Sequence, residues 1–305
     1  MKKILCKMLG GALLFGLTMS LTSCEDVLGH WEKPSPNPIT PGGGTPVTPE
    51  EIIYAFSLRN MADNADVVAT TLTVKDQDNQ TIATATSDGK YTIRKDDLGG
   101  ALELWLEATT SDNKLYIARA TLEELPAIAE AGKLKMATVG DVIKDDGKFY
   151  AAGTSDAVAM IAYLGDGSDC DHGLAIQLNG APLTKKWADS DARPAKEYAE
   201  GLAAVPVGIW RLPSKADWQN MFVGCAKSGD AISPDGDGKM DPIAGFNEKI
   251  GATGITWQSG FYWSSTDSGS NAWSVYVYLL DSSSFARFYE EDSSGPYRVL
   301  GCLAF

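Results

Sequence analysis

Trp273-Ser274-Val275-Tyr276-Val277-Tyr278-Leu279-Leu280 alternates along its whole length, with Trp273, Val275, Val277 and Leu279 on one parity and Ser274, Tyr276, Tyr278 and Leu280 on the other. A period of two is that of a strand with one face buried and the other available. The stretch sits inside a longer one, 260–305, that opens with Phe261-Tyr262-Trp263-Ser264-Ser265-Thr266, closes with Tyr297-Arg298-Val299-Leu300-Gly301-Cys302-Leu303-Ala304-Phe305, and holds short β-type runs parted by Ser, Gly and Asp. If Trp273, Val275 and Val277 point inward, Ser274, Tyr276 and Tyr278 face out. The following segment then brings Phe288, Tyr289, Glu290, Tyr297 and Arg298 beside them. Tyr supplies large, stiff contact area with a hydroxyl handle, and Ser adapts its hydrogen bonds at little entropic cost. Aromatic anchors with one acid and one Arg have the chemistry of a binding hot spot. The alternative is an ordinary edge of a β-rich domain.

Outward from this stretch, Val139-Gly140-Asp141-Val142-Ile143 and Lys148-Phe149-Tyr150 flank a turn at Asp145-Asp146-Gly147 and predict a hairpin. Residues 157–164 and 173–178 are apolar enough for largely buried strands, with the acidic loop 165–172 between them. A helix is expected over 195–205. A second follows Pro213-Ser214, with Ser214 as N-cap and Trp218, Met221 and Phe222 recurring at helical spacing through Cys225. Trp210, Trp218, Trp257, Trp263 and Trp273 lie beside strand or helix signals, so they are expected to brace a core rather than form an open carbohydrate platform.

Taken together, Trp210-Arg211-Leu212-Pro213-Ser214 with Asp217-Trp218, then Tyr262-Trp263-Ser264-Ser265-Thr266, Ala272-Trp273 and Cys302-Leu303-Ala304-Phe305 resemble the major paralogous domain of bacterial surface lipoproteins. The resemblance covers 139–305 and rests on the spaced set rather than on any one piece. It implies a C-type-lectin-like fold. With a lipoprotein leader ahead of such a domain, the chain is similar to the target proteins of diversity-generating retroelements, whose final strands carry variable ligand-facing positions on a constant scaffold. One departure is Leu300, where family members usually have Arg. The Glu-Pro-Asn and Trp-Asn-Asp triplets with which C-type lectins hold calcium-bound sugar are absent, so the resemblance implies a fold and not a sugar specificity.

Upstream, 51–122 holds several short alternating runs, among them Ile53 to Phe56, Tyr91 to Ile93, Leu102 to Leu106 and Leu115 to Ile117, broken by turn chemistry at hairpin spacing. This pattern predicts a small, all-β, immunoglobulin-like sandwich. A linker over 123–138 that includes a short acidic helix is expected to join it to the C-terminal domain. The expected class is therefore α+β.

Residues 24–50 carry Pro34, Pro36, Pro38, Pro41, Pro46 and Pro49 around Gly42-Gly43-Gly44 with almost no apolar periodicity, the composition of a tether. Residues 1–23 combine Lys2, Lys3 and Lys7 with an apolar run too short to span a bilayer, and read as a secretory signal. Leu21-Thr22-Ser23-Cys24 resembles a bacterial lipobox, which implies that Cys24 is acylated and holds the chain to a membrane by lipid alone. Glu25-Asp26 resembles an acidic mark for export to the outer face of the outer membrane; a solvated start of the tether explains it equally.

Removing 1–23 takes away three lysines and no acid, so the formal charge goes from −14 to −17. A surface so acidic repels nucleic acid and anionic lipid. Cys170, Cys225 and Cys302 then remain, an odd number that cannot form a complete disulfide framework, and buried thiols are expected.

The only histidines are His30, in the tether, and His172, so a Ser-His or Cys-His nucleophile would rest on His172 alone. Beside Cys170, His172 is either a metal ligand or a polar loop residue, and no second His or Cys-x-x-Cys accompanies it. Asp235, Asp237 and Asp241 carry oxygens at the alternate spacing of a calcium loop, but Ala244 stands where the closing Glu belongs; a solvated acidic loop is the alternative. No cofactor is otherwise expected. The function expected is display of a surface that binds a protein or glycan ligand. A pilus-tip adhesin subunit is the alternative, which would need a donor or acceptor strand in the N-terminal sandwich. An enzyme of the formylglycine-generating type would need a catalytic Cys pair that the sequence lacks.

Overall fold

The alternating stretch forms a strand near the middle of a six-stranded sheet, with Val275 and Val277 fully buried on one side. The computed structural model describes residues 51–85, 90–165, 170–179, 183–227, 239–241, 243–279 and 284–305. The expected leader and tether, with Cys24, and the loop acids Asp235 and Asp237 lie outside them. Residues 50–305 form one compact unit.

In chain order the first part comprises β1 (Ile53–Asn60), β2 (Ala69–Lys75), β3 (Thr81–Ala85), β4 (Tyr91–Arg94), β5 (Glu103–Thr110), β6 (Leu115–Thr121), helix α1 (Leu125–Ala131) and β7 (Lys133–Met136). These make a three-stranded sheet, β4-β1-β7, and a four-stranded sheet, β3-β2-β5-β6. The two share one apolar cluster that includes Phe56, Leu72, Leu104, Leu106 and Met136. The sequence places a linker over 123–138, but α1 begins at Leu125 and β7 pairs in parallel with β1, Leu58 opposite Leu134. Buried Leu134 and Met136 alternate with exposed Lys133 and Lys135, and this short period-two pattern adds the segment to the sheet.

The second part comprises β8 (Val142–Ile143), β9 (Phe149–Tyr150), β10 (Ala159–Leu164), β11 (Gly173–Gln177), β12 (Leu183–Lys186), α2 (Pro194–Glu200), β13 (Ile209–Arg211), α3 (Lys215–Gly224), β14 (Lys239–Met240), α4 (Ala244–Ala252), β15 (Gly260–Ser268), β16 (Asn271–Tyr278), β17 (Phe285–Asp292), β18 (Pro296–Val299) and β19 (Cys302–Ala304). One six-stranded sheet runs β13-β19-β11-β10-β8-β9 and the other β12-β18-β15-β16-β17-β14. With four sheets and four α-helices among the described residues, the chain is α+β.

Helix α3 starts where its cap predicts. The Ser214 hydroxyl accepts from Asp217 N–H at 3.1 Å, and the Asp217 carboxylate accepts from Ser214 N–H at 2.7 Å, which closes a capping box. Asp217 also takes the Arg211 guanidinium at 2.8 Å. Trp218, Met221 and Phe222 are fully buried beneath both six-stranded sheets, against Ile176, Tyr262 and Val275. The helix ends against β10 so closely that a Cβ on Gly224 would meet the Ala162 carbonyl oxygen at 2.4 Å. Trp210, Trp218, Trp257 and Trp263 are buried, the bracing role expected of them; Trp273 is half-buried. Leu300 is buried in this core.

The opposite side of the β10-β11-β19 sheet meets the first part of the chain. Ile161, Leu303 and Phe305 share a cluster with Trp105 of β5 and Ile117 of β6. His172, in the loop just before β11, lies buried in this seam as a hydrogen-bonded polar loop residue. Its ring stacks on Trp105 at 4.0 Å, and Nδ1 donates to Glu107 Oε1 at 2.7 Å. The Glu107 carboxylate also takes Lys75 Nζ at 2.9 Å. Trp105 made the strand strongly apolar on a face that a free sandwich would expose, and this seam is what covers it.

Candidate ligand-binding face

Strand register assigns the side chains of the second six-stranded sheet to its two faces. Across β15, β16 and β17, Phe261 lies opposite Tyr276 and Tyr276 opposite Arg287; Trp263 lies opposite Ser274 and Ser274 opposite Tyr289. Tyr278 is opposite Phe285, and Ala272 opposite Glu291. Directly opposed residues project to the same side, so these form one face. Tyr262, Val275, Val277, Ala286 and Phe288 form the other, which is buried against α3 and α4.

On the first face six aromatic side chains, all half-buried, touch one another. Phe261 stacks on Tyr297 at 4.9 Å, lies 4.8 Å from Tyr276 and 5.7 Å from Tyr289. Phe285 lies 5.1 Å from Tyr278 and 6.5 Å from Tyr276. The Lys239 ammonium sits 4.9 Å from the Phe285 ring at one margin. At the other, the Tyr297 hydroxyl donates to Glu291 Oε2 at 2.9 Å. Burial, and then this bond to a carboxylate, push the Tyr297 phenol up to about 12, so it stays a protonated donor at neutral pH. The rings pack on one another in stacked and tilted pairs rather than standing free, which lowers the entropy lost when a ligand covers them.

Of the eight residues read from the sequence, Tyr276, Tyr278, Tyr289 and Tyr297 come together on this face. Four do not stand as expected. Ser274 has the right parity but is fully buried, flanked on its own face by Trp263 and Tyr289. Phe288 is buried, because its position opposite Val275 turns it to the core. Glu290 is exposed but opposite Trp273, so it projects to the far side, where the Lys215 ammonium lies 3.3 Å from the Trp273 ring. Burial lowers the pKa of that lysine and the Glu290 charge opposes the shift. Arg298 pairs with Tyr262 in register and donates to the Ser259 carbonyl and Gln258 Oε1, both at 3.1 Å, so it is committed to the turn before β15.

Phe261, Phe285, Arg287 and Glu291 belong to the face and were not read from the sequence. Phe285, Arg287, Tyr289 and Glu291 share one parity, a signal that could have found them had the hairpin register between β16 and β17 been known. Phe261 stands in the quoted Phe-Tyr-Trp-Ser run, whose alternation over four residues does not reveal which parity faces out.

The possible calcium ligand Asp241 is engaged otherwise, its Oδ2 accepting from Lys239 Nζ at 2.7 Å. Among the described residues no cluster of three or more His, Cys, Asp or Glu is placed to hold a metal. Cys170, Cys225 and Cys302 are free thiols and all buried, as expected. Burial pushes the Cys225 thiol up to about 12, and it raises Cys302 likewise, which makes both inert at neutral pH. Among the described residues no helix is long and apolar enough to cross a membrane. No family model, no curated protein and no solved structure matches the chain.

Proposed function

We propose that this protein is a ligand-binding lipoprotein of the bacterial cell surface, whose C-terminal part, 139–305, adopts a C-type-lectin-like fold behind a small immunoglobulin-like sandwich. The observation that carries the binding function is the cluster of Phe261, Tyr276, Tyr278, Phe285, Tyr289 and Tyr297 on one sheet face, half-exposed and mutually packed, while Tyr262, Val275, Val277 and Ala286 of the opposite face are buried in the core. A monomer that left this much aromatic surface to water without a use for it would accept an aggregation liability. Four of the six rings carry a hydroxyl, which suits a partner with both apolar and hydrogen-bonding surface, a protein or a glycan. In this proposal Cys24 bears the lipid, 24–50 is the tether, and the anchor is the only contact with the outer membrane. Variation by a retroelement would act on the tyrosine face and leave Val275, Val277 and the terminal strand constant.

The test pairs the parent chain with a triple variant, Tyr276→Ala, Tyr278→Ala and Tyr289→Ala, on arrays of glycans and of extracellular proteins. Each half-buried ring contributes only about 1 kcal/mol to folding, so the variant should still melt cooperatively. It should lose at least about a hundredfold in affinity for whatever the parent captures, in keeping with two aromatic hot-spot residues. A folded triple variant that binds as well as the parent overturns the proposal.

A further inference from the structure

Strands β6 and β7 are the facing edges of the two small sheets, and they meet at one point, the antiparallel bridge between Ile117 and Ala137. There the Ile117 and Ala137 amides exchange hydrogen bonds of 2.8 and 2.7 Å. In an antiparallel ladder the next exchange falls two residues on, at Arg119 and Lys135, and no such pairing forms. The edges diverge instead. At Thr121 the β6 edge is closed, since its N–H goes to Glu124 Oε2 and its carbonyl takes Glu124 N–H. The backbone groups of Arg119 and Lys135 therefore face each other across a gap.

That gap is the mouth of a cleft of about 550 Å³, within the range of roughly 300–1,000 Å³ that proteins give to bound groups. Its two sides differ. Toward the interior it is lined by Ala118, Ala120, Ile128 and Leu134, two of them small residues that leave room for incoming side chains. Toward the surface it meets Arg119, Lys133, Lys135 and Lys148 around Phe149. Two acids also line it, and both are engaged. Glu124 pairs with Lys148 at 3.6 Å, and Asp146 accepts from the Tyr150 hydroxyl at 2.7 Å. Arg119 is paired with Glu103 and Asp146 keeps its charge, but Lys133 and Lys135 have no ion-pair partner among the described residues, so the cleft is net cationic on a chain that is strongly acidic overall.

We infer that the cleft is a strand acceptor. An extended segment of a partner chain, about four residues long to match the reach of Ala118–Thr121 along β6, lies between β6 and β7 and hydrogen-bonds to the open groups of Arg119 and Lys135. Because successive side chains of a strand point to opposite sides, one set enters the apolar interior and the other meets the lysines. The acceptor thus selects alternating apolar and acidic residues. The site is distinct from the tyrosine face and does not depend on it.

The probe is a capped five-residue peptide of alternating valine and glutamate, with the valine–lysine peptide as control. Hydrogen exchange on the full chain should show the Arg119 and Lys135 amides exchanging fast in the free protein, then slowed at least about tenfold at both when the acidic peptide saturates. Lys135→Glu, at an exposed position, should weaken that peptide about tenfold, the size of effect expected for reversing one interfacial charge, and should favour the lysine peptide. Lys135→Pro, which removes one open N–H while leaving the pairing with β1, should abolish exchange protection at Arg119. Amides already slow in the free chain, absence of binding by the acidic peptide, or binding indifferent to Lys135→Glu would each overturn the inference.

Discussion

Ser274 has the parity of Tyr276 and Tyr278 yet no exposure, and its Oγ has no hydrogen-bond partner. A buried hydroxyl left unpaired costs about 1–3 kcal/mol relative to a paired one. Ser274→Ala removes the polar atom without changing the backbone or leaving a sizeable void. It is expected to leave stability unchanged or raise it by about 1 kcal/mol, and to leave ligand capture intact. Urea denaturation of parent and variant, with the binding assay run on both, checks the two halves. Loss of binding with unchanged stability would return Ser274 to the ligand face. Alternation along a strand gives the side on which a residue projects, but how deep it lies depends on the bulk of its cross-strand neighbours, here Trp263 and Tyr289.

Between elements, a pH-sensitive contact joins β5 to the loop just before β11. Burial alone would raise the Glu107 pKa, but hydrogen bonds from His172 and Lys75 outweigh it and hold the carboxyl below its ordinary value. A depressed carboxylate contributes stability that is present above the ordinary value of 4.5 and is lost as pH falls through the lower folded value. Glu107→Gln should therefore destabilise the chain at pH 7 by about 1–3 kcal/mol, the worth of charged hydrogen bonds at a partly buried site. The gap between variant and parent should close as pH falls below about 4. Denaturation curves from pH 3 to pH 7 measure it; a gap that stays constant with pH would mean the effect is one of packing. Nothing in the sequence pairs Glu107 with His172, since they are separated by 65 positions and neither lies in a motif.

For the molecule as a whole, the last residues close the structure. Strand β19 lies between β13 and β11 inside its sheet, Cys302 and Leu303 are fully buried, and the Phe305 carbonyl accepts from the His172 and Gly173 amides at 2.7 and 2.9 Å. Deleting Cys302–Phe305 would leave two edges open and remove Leu303 and Phe305, each worth about 1.5–3 kcal/mol of burial against a total stability of roughly 5–15 kcal/mol. Loss of the cooperative melt is expected by calorimetry, and a truncated chain melting like the parent would show the terminus to be dispensable. At the other end, Cys24→Ala should abolish incorporation of labelled palmitate and move the protein out of the membrane fraction. Membrane association that persists without label would exclude a lipid anchor at Cys24.

The sequence by itself determined the α+β class, most strand positions, the start of α3 and the core role of four tryptophans. Each depends on periodicity or capping within a dozen residues, where local physics dominates. It also placed Tyr276 and Tyr278 on the side away from Val275 and Val277. Only the tertiary structure decided which residues join them, because the hairpin register that sets Phe285 opposite Tyr278, and the parallel pairing that sets Arg298 beside Tyr262, are contacts between segments whose relative offset no local pattern specifies. The same holds for β7: Lys133–Met136 is too short to declare itself a strand, and it became one because β1, more than seventy residues earlier, offered an edge whose core face Leu134 and Met136 could complete.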